Sequence, residues 1–154
     1  MLTILTLKIL LMIVYLSHWD WNLYKSRKDI VLNLDELNIK SICPEGIYTK
    51  ELKTIYQEHI NWNIDREKTF DFKGVINLKN ILNSLEGGTI VHSFTLKTGI
   101  LYSVANLFVN NNIKGVLSIN GLGYLFSNNF RAKLLKLLLK TFIKKSFNKS
   151  FEEI

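Results

Sequence analysis

The first candidate site combines an imidazole, hydroxyls and an amine over seven consecutive residues. The pattern predicts that a strand gives way there to a helix, whose first turn offers free N–H groups to an anion. His92 is the candidate catalytic residue, and Ser93, Thr95 and Lys97 are candidate substrate-binding residues. The same residues could serve the fold alone, with Thr95 or Thr98 capping the helix and His92 hydrogen-bonded within the strand.

The second candidate site is rich in aromatic and polar side chains and follows the first apolar run. Residues 17–24 read SHWDWNLY, and we expect them to form a loop. Tryptophan and tyrosine suit contacts with a sugar because their rings join an apolar face to a polar atom. Trp19, Trp21 and Tyr24 could equally pack over the edge of the sheet.

The third candidate site contains two glycines in the segment Asn120, Gly121, Leu122, Gly123. Glycine lets the backbone approach a ligand closely or adopt a positive φ. The segment lacks the third glycine of a dinucleotide fingerprint, and no acidic residue stands at the usual distance from the first strand. A nicotinamide cofactor is therefore disfavoured, and we expect no cofactor.

Several other kinds of chemistry are excluded by residue type and spacing. His18, His59 and His92 lie far apart, so no metal site is expected. No nucleophile elbow or phosphate-binding P-loop occurs. Acidic residues such as Asp20 and Asp65 are scattered, and we expect most of them to be solvated or to cap helices.

Strand-like and helix-like segments alternate along the chain. This order predicts an α/β fold, a doubly wound parallel sheet with helices on both faces. The predicted strands are 9–16, 39–43, 59–64, 89–94 and 115–119, and the predicted helices are 25–37, 49–56, 73–85, 98–112 and 131–146.

Apolar spacing also predicts which side chains the helices bury. In the first helix these are Ile30, Leu34 and Leu37. In later helices the pattern places Ile76 and Phe108 among the inward residues.

The last predicted helix carries a cationic stripe beside an apolar one. Such a helix can lie on anionic lipid, or it can be an ordinary core-packed helix with a solvated lysine face. The stripe comprises Lys133, Lys136, Lys140 and Lys144.

Composition and charge place limits on the class of protein. The 154 residues are 47% hydrophobic, which fits one folded domain and excludes a disordered chain. The single cysteine, Cys43, excludes an internal disulfide and favours a reducing, cytoplasmic compartment. The net charge of +7 suggests an anionic partner, although AT-rich coding would also enrich lysine. Nucleic acid is disfavoured because no recognition motif appears.

Four segments, taken in order, resemble the N-terminal domain of family 4-like glycosyltransferases of bacterial polysaccharide and glycan biosynthesis. They are 19–27 (WDWNLYKSR), 42–48 (ICPEGIY), 91–99 (VHSFTLKTG) and 118–126 (SINGLGYLF). The basic segment 132–147 follows in the place that the family expects.

The resemblance implies that residues 1–154 form a single Rossmann-like domain, the acceptor-side half of a GT-B fold, without the donor-binding half. The implied activity is transfer of a hexosyl group from a nucleotide-sugar to a lipid-linked or glycan acceptor, with a separate chain supplying the donor domain. The implied location is the cytoplasm, at the inner face of the cytoplasmic membrane. The alternative is a non-catalytic module that binds a membrane or a partner.

The resemblance also assigns residues to the cleft. His18, Trp19 and Asn22 would contact the acceptor or the donor phosphates, beside the first candidate site. Asn120, with the glycines that follow it, stands where many relatives have histidine.

Overall fold

The computed structural model describes residues 12–34 and 37–119. Strands and helices alternate along this part of the chain. The strands are β1 (Met12–Leu16), β2 (Asn38–Cys43), β3 (Glu58–Asn61), β4 (Ile90–Phe94) and β5 (Lys114–Ser118), and the helices are α1 (Asp20–Leu32), α2 (Thr49–Ile55), α3 (Phe72–Ser84) and α4 (Leu96–Asn106).

The five strands form one parallel sheet in the order β3-β2-β1-β4-β5. The chain therefore moves outward from β1 in one direction through β2 and β3, and then returns to place β4 on the other side of β1. This order is the Rossmann-like arrangement, and ligands in such sheets bind where the direction reverses, at the carboxyl ends of the strands. The predicted fold class is confirmed.

Two hydrophobic clusters cover the two faces of the sheet. In β1, Val14 and Leu16 join the cluster that α3 and α4 complete, and this cluster contains the fully buried Trp62. Tyr15, between them, points to the other face and joins the cluster with residues of α1 and α2. Side chains alternate across a strand, so β1 contributes to both cores.

Helix α1 begins five residues earlier than the sequence pattern indicates. Asp20 occupies its first turn, where a carboxylate interacts favourably with the helix dipole. The predicted inward residues Ile30 and Leu34 are 43% and 37% exposed, whereas Leu23 and Val31 are buried. The prediction was wrong for Ile30, because Leu23 and Val31 define the side of α1 that contacts the core. It was also wrong for Leu34, which lies beyond the end of α1, whereas Leu37 packs against the core as predicted.

Two later helical residues also differ from the prediction. Helix α4 ends at Asn106 instead of residue 112, and Phe108 beyond it is 63% exposed. Ile76 of α3 is 60% exposed because Val75, Leu78 and Leu82 define the side that contacts the core.

Some predictions lie outside the described residues. These are the start of the first strand, the helix 131–146, Asn120 and the glycines Gly121 and Gly123, and the basic residues Lys133, Lys136, Lys140 and Lys144. Within the described ranges, no helix is long and apolar enough to cross a membrane.

Candidate functional site

The carboxyl ends of β1 and β4 bring together three side chains that are far apart in sequence. Thr98 Oγ1 lies 2.9 Å from His18 Nδ1 and accepts a hydrogen bond from the His18 backbone N–H at 3.2 Å. Thr95 Oγ1 lies 3.2 Å from both His18 Nδ1 and Thr98 Oγ1. The result is a compact polar cluster at the point where the strand order reverses.

Thr95 holds an unusual backbone conformation in this cluster. Its φ is 79° and its ψ is 150°, a region that is normally reserved for glycine. From this position its side chain accepts a hydrogen bond from the Thr98 backbone N–H and caps α4. Strain of this kind typically costs about 1–3 kcal/mol and concentrates at functional sites.

His18 is neutral at physiological pH. Burial lowers the pKa of its imidazole to about 4, and the positive charges of Lys97 and Arg66 act in the same direction. A neutral imidazole has one ring nitrogen that donates a hydrogen bond and one that accepts it. His18 can therefore hydrogen-bond a hydroxyl or another polar group of a ligand.

A charged loop, residues 65–71, lies beside this cluster and is anchored to α4. Lys97 Nζ donates hydrogen bonds to the carbonyl oxygens of Arg66 at 2.7 Å and Lys68 at 2.6 Å. At the end of the loop, Asp71 Oδ2 accepts from the Asp65 backbone N–H at 2.8 Å. These contacts fix Arg66 and its neighbour Glu67 in front of His18.

Asp20 ties the β2–α2 connection to the same region. Its side chain is only 1% exposed, and Oδ2 accepts a hydrogen bond from the Tyr48 backbone N–H at 2.9 Å. Oδ1 lies 3.8 Å from Arg66 Nη1. Asp20 differs from the solvated or helix-capping role that we expect of most acidic residues, because tertiary packing supplies a donor and a cation for its buried carboxylate.

These elements surround an open cavity of about 370 Å³ lined by His18, Trp19, Arg66 and Glu67. Trp19 is 45% exposed and stacks on Trp21, with ring centroids 5.2 Å apart and planes 27° apart. The cavity therefore offers an accessible indole, a carboxylate, a guanidinium and a neutral imidazole to one ligand.

The structure separates His92 from this cavity. His92 lies inside β4, and its Nε2 is 2.7 Å from Ser118 Oγ of β5. Its ring packs against Tyr15 and Phe94, on the face of the sheet that α1 covers. Arg27 lies with its guanidinium carbon 4.3 Å from the Phe94 ring centroid, and it helps burial to lower the pKa of His92.

Two further predicted site residues have buried polar atoms that lack a hydrogen-bond partner among the described residues. These atoms are Asn22 Oδ1 on α1 and Ser93 Oγ on β4. Neither residue lines the cavity. Of the predicted site residues that are described, His18, Trp19, Thr95 and Lys97 come together.

Arg66 and Glu67 were missed by sequence reasoning. Both residues follow β3, the edge strand, which pairs only with β2. A charged loop in that position is typical of solvent-exposed surface. The available signal was the loop's position after a parallel strand, since the carboxyl ends of all such strands share one edge. Among the described residues, no cluster of His, Cys, Asp or Glu could hold a metal ion.

Neither protein-family models nor curated proteins match the chain. A solved structure, a mutant form of an enoyl thioester reductase from Candida tropicalis, is similar at 14% identity and a TM-score of 0.33. The similarity covers 88% of this chain and 42% of that chain, so this chain spans less than half the length of the reductase. Likeness at this level carries no argument about function.

Proposed function

We propose that this chain is the acceptor-side half of a glycosyltransferase, and that the cavity beside His18 binds the sugar of a lipid-linked or glycan acceptor. The observation that carries the proposal is the stacked pair Trp19 and Trp21 at a cavity that also contains Arg66 and Glu67. An exposed indole face provides an apolar surface for a pyranose ring, and the neighbouring charged groups can hydrogen-bond its hydroxyls.

The position of the cavity supports the same proposal. It lies at the reversal between β1 and β4, where Rossmann-like sheets bind their ligands. The resemblance of segments 19–27 and 91–99 to family 4-like glycosyltransferases concerns these same two connections. Sugar transfer from a nucleotide-sugar would use a donor domain on another part of the protein or on a separate chain.

The neutral state of His18 suits an acceptor site. An acceptor hydroxyl can donate a hydrogen bond to the unprotonated nitrogen of a neutral imidazole, whereas a pKa of about 4 disfavours transfer of the proton to it. Thr95 and Thr98 hold Nδ1 of His18 within hydrogen-bond distance, which fixes the orientation of the ring. In this proposal His18 therefore orients the acceptor hydroxyl, and it replaces His92 as the histidine of the site.

The test is a fluorescence titration with octyl glycosides of glucose, galactose, mannose and N-acetylglucosamine, each below its micellar concentration. Trp62 is fully buried, so changes in emission report on Trp19 and Trp21. We expect saturable binding of at least one glycoside. We expect Trp19→Ala to weaken glycoside binding by roughly tenfold or more, because losing a stacked aromatic contact of about 1.5 kcal/mol lowers the affinity by about that factor.

A matched control separates sugar binding from adsorption of the alkyl chain. Phe108 is 63% exposed beyond the end of α4, away from the residues that line the cavity, so Phe108→Ala removes an exposed ring without touching the site. The proposal fails if free octanol competes as well as the glycoside, or if Phe108→Ala weakens binding as much as Trp19→Ala does. Glycoside binding without transfer, in the presence of a donor-binding half, would favour the non-catalytic binding module.

A further inference from the structure

One flank of α1 has an unusual composition for a helix that already covers a sheet. Asp20, Leu23 and Val31 are its buried residues. On the opposite side, a surface helix normally carries polar and charged residues. In α1 that side carries Asn22, Ser26 and Asp29. The flank between it and the buried side carries Trp21, Lys25, Lys28 and Leu32, where Trp21 is 40% and Leu32 is 56% exposed.

The β2–α2 connection extends this face. Ile47 is 81% exposed, more than any other large apolar side chain of the described residues. The next residue, Tyr48, stacks on Tyr24 of α1 with centroids 4.5 Å apart and planes 14° apart. Together these residues form one surface, the α1 surface, which comprises Trp21, Tyr24, Lys25, Lys28, Leu32, Ile47 and Tyr48.

Lysines and aromatic rings are interleaved on the α1 surface. Lys25 Nζ lies 5.3 Å from the Tyr24 ring centroid and 5.4 Å from that of Tyr48, and Lys28 Nζ lies 5.2 Å from Tyr24. Of the acidic residues of α1, Asp20 is buried, and Asp29 is the one that is exposed. This flank of the helix is therefore apolar, aromatic and positively charged, whereas Asp29 lies on the side opposite the core.

We propose that the α1 surface binds an anionic phospholipid bilayer and lies flat on it. Tyrosine and tryptophan favour the level of the lipid headgroups, and exposed isoleucine and leucine can enter the boundary with the acyl chains. Lysines above the rings keep their charge near the lipid phosphates while their stems cover apolar surface. Charge complementarity selects an anionic bilayer over a zwitterionic one.

The α1 surface is continuous with the cavity through one aromatic contact. Trp21 belongs to the surface and stacks on Trp19, which lines the cavity. A sugar joined to a membrane lipid would reach the cavity from the bilayer. This last consequence rests on the proposed function, whereas bilayer binding itself does not.

The experiment measures co-sedimentation of the full chain with vesicles of phosphatidylcholine, with and without phosphatidylglycerol. We expect binding to the anionic vesicles that weakens as salt is added. The double variant Lys25→Gln, Lys28→Gln should lose about tenfold or more in affinity, since each lysine near an anionic surface contributes to binding. Ile47→Ser should lose roughly tenfold because its side chain no longer leaves water.

Matched controls lie on α3, which covers the other face of the sheet. Lys73→Gln with Lys79→Gln removes the same charge, and Ile76→Ser removes a 60% exposed isoleucine. We expect each control to bind vesicles within about twofold of the unmodified chain, because no contact with the bilayer is lost. Equal losses in the controls and in the α1 variants would overturn the proposal.

Two further results would overturn it. One is the absence of binding to anionic vesicles. The other is binding that persists in both α1 variants and disappears when Lys133, Lys136, Lys140 and Lys144 are replaced by glutamine, since the contact would then belong to that segment.

A measurement on the unmodified chain makes the outcome independent of whether the variants fold. Brominated phosphatidylcholine in anionic vesicles should quench the emission of Trp19 and Trp21, while Trp62 is 0% exposed and remains protected. Binding without such quenching would show that another surface meets the lipid and would exclude the α1 surface.

Discussion

The carboxylate of Asp20 occupies the space in which a side chain at position 46 would lie. A Cβ atom added to Gly46 would overlap the carboxylate carbon and both carboxylate oxygens of Asp20. This close approach allows Asp20 Oδ2 to accept the hydrogen bond from the Tyr48 backbone N–H. Gly46 thus permits α1, the β2–α2 connection and Arg66 to meet at one carboxylate.

Replacing Gly46 with alanine should therefore displace a buried charge. We expect Gly46→Ala to lower the free energy of unfolding by about 2–3 kcal/mol, because Asp20 loses its backbone donor while it remains buried. Gly87→Ala is the matched control, since nothing lies within 4 Å of its added Cβ. Urea denaturation measures both, and equal stability of the two variants would contradict the close approach.

Thr95→Gly should stabilise the protein while it damages the site. Glycine adopts a positive φ without strain, which removes a backbone strain of about 1–3 kcal/mol at residue 95. Replacing a threonine cap by glycine costs only about a few tenths of a kcal/mol of stability. Urea denaturation should show a higher midpoint, and octyl glycoside binding should weaken because Thr95 no longer holds the His18 ring. A lower midpoint would mean that the Thr95 backbone is not strained.

The stability of the protein should fall as pH drops from about 6.5 to about 4, the window between the ordinary pKa of histidine and the pKa of folded His18. The lowered pKa means that the unfolded chain binds a proton that the folded chain rejects, so acid favours unfolding. The lowered pKa of His18 accounts for a loss of at most about 3 kcal/mol in the free energy of unfolding, and this loss is complete below pH 4.

His18→Asn isolates this contribution. Its amide can occupy the position of Nδ1 without titrating in this window, so the loss of stability with acid should become shallower. The pKa values of His59 and His92 are also lowered by burial, and they will leave a residual slope in the variant. Urea denaturation at several pH values measures how steeply the stability of each protein changes with pH. The same slope in His18→Asn and in the unmodified chain would show that the pKa of His18 is not lowered.

Lys97→Met should release the charged loop that faces the cavity. Lys97 Nζ bonds to the carbonyl groups of Arg66 and Lys68, which are both sites at which trypsin can cut. We expect cleavage after these residues to accelerate about tenfold, as loss of two charge-assisted hydrogen bonds makes local opening more frequent. Lys79→Met on α3 is the control, and mass spectrometry of early fragments locates the cuts.

The sequence by itself determined the order of strands and helices. The continuous apolar run 9–16 predicts a strand buried on both faces, and the alternation of strand-like and helix-like segments predicts a parallel sheet. The sequence also located His18, Trp19, Thr95 and Lys97 near strand ends. These features depend on periodicity and on turn chemistry within a few residues, which are local properties of the chain.

Tertiary structure alone decided which of these residues share a site. His92 and Ser93 are neighbours in sequence, but side chains alternate across a strand, and His92 points to the face on which it packs against Tyr15. The cavity forms elsewhere, around His18. Arg66 joins that cavity through contacts to Asp20 and Lys97. Such contacts join distant parts of the chain, and no local pattern encodes them.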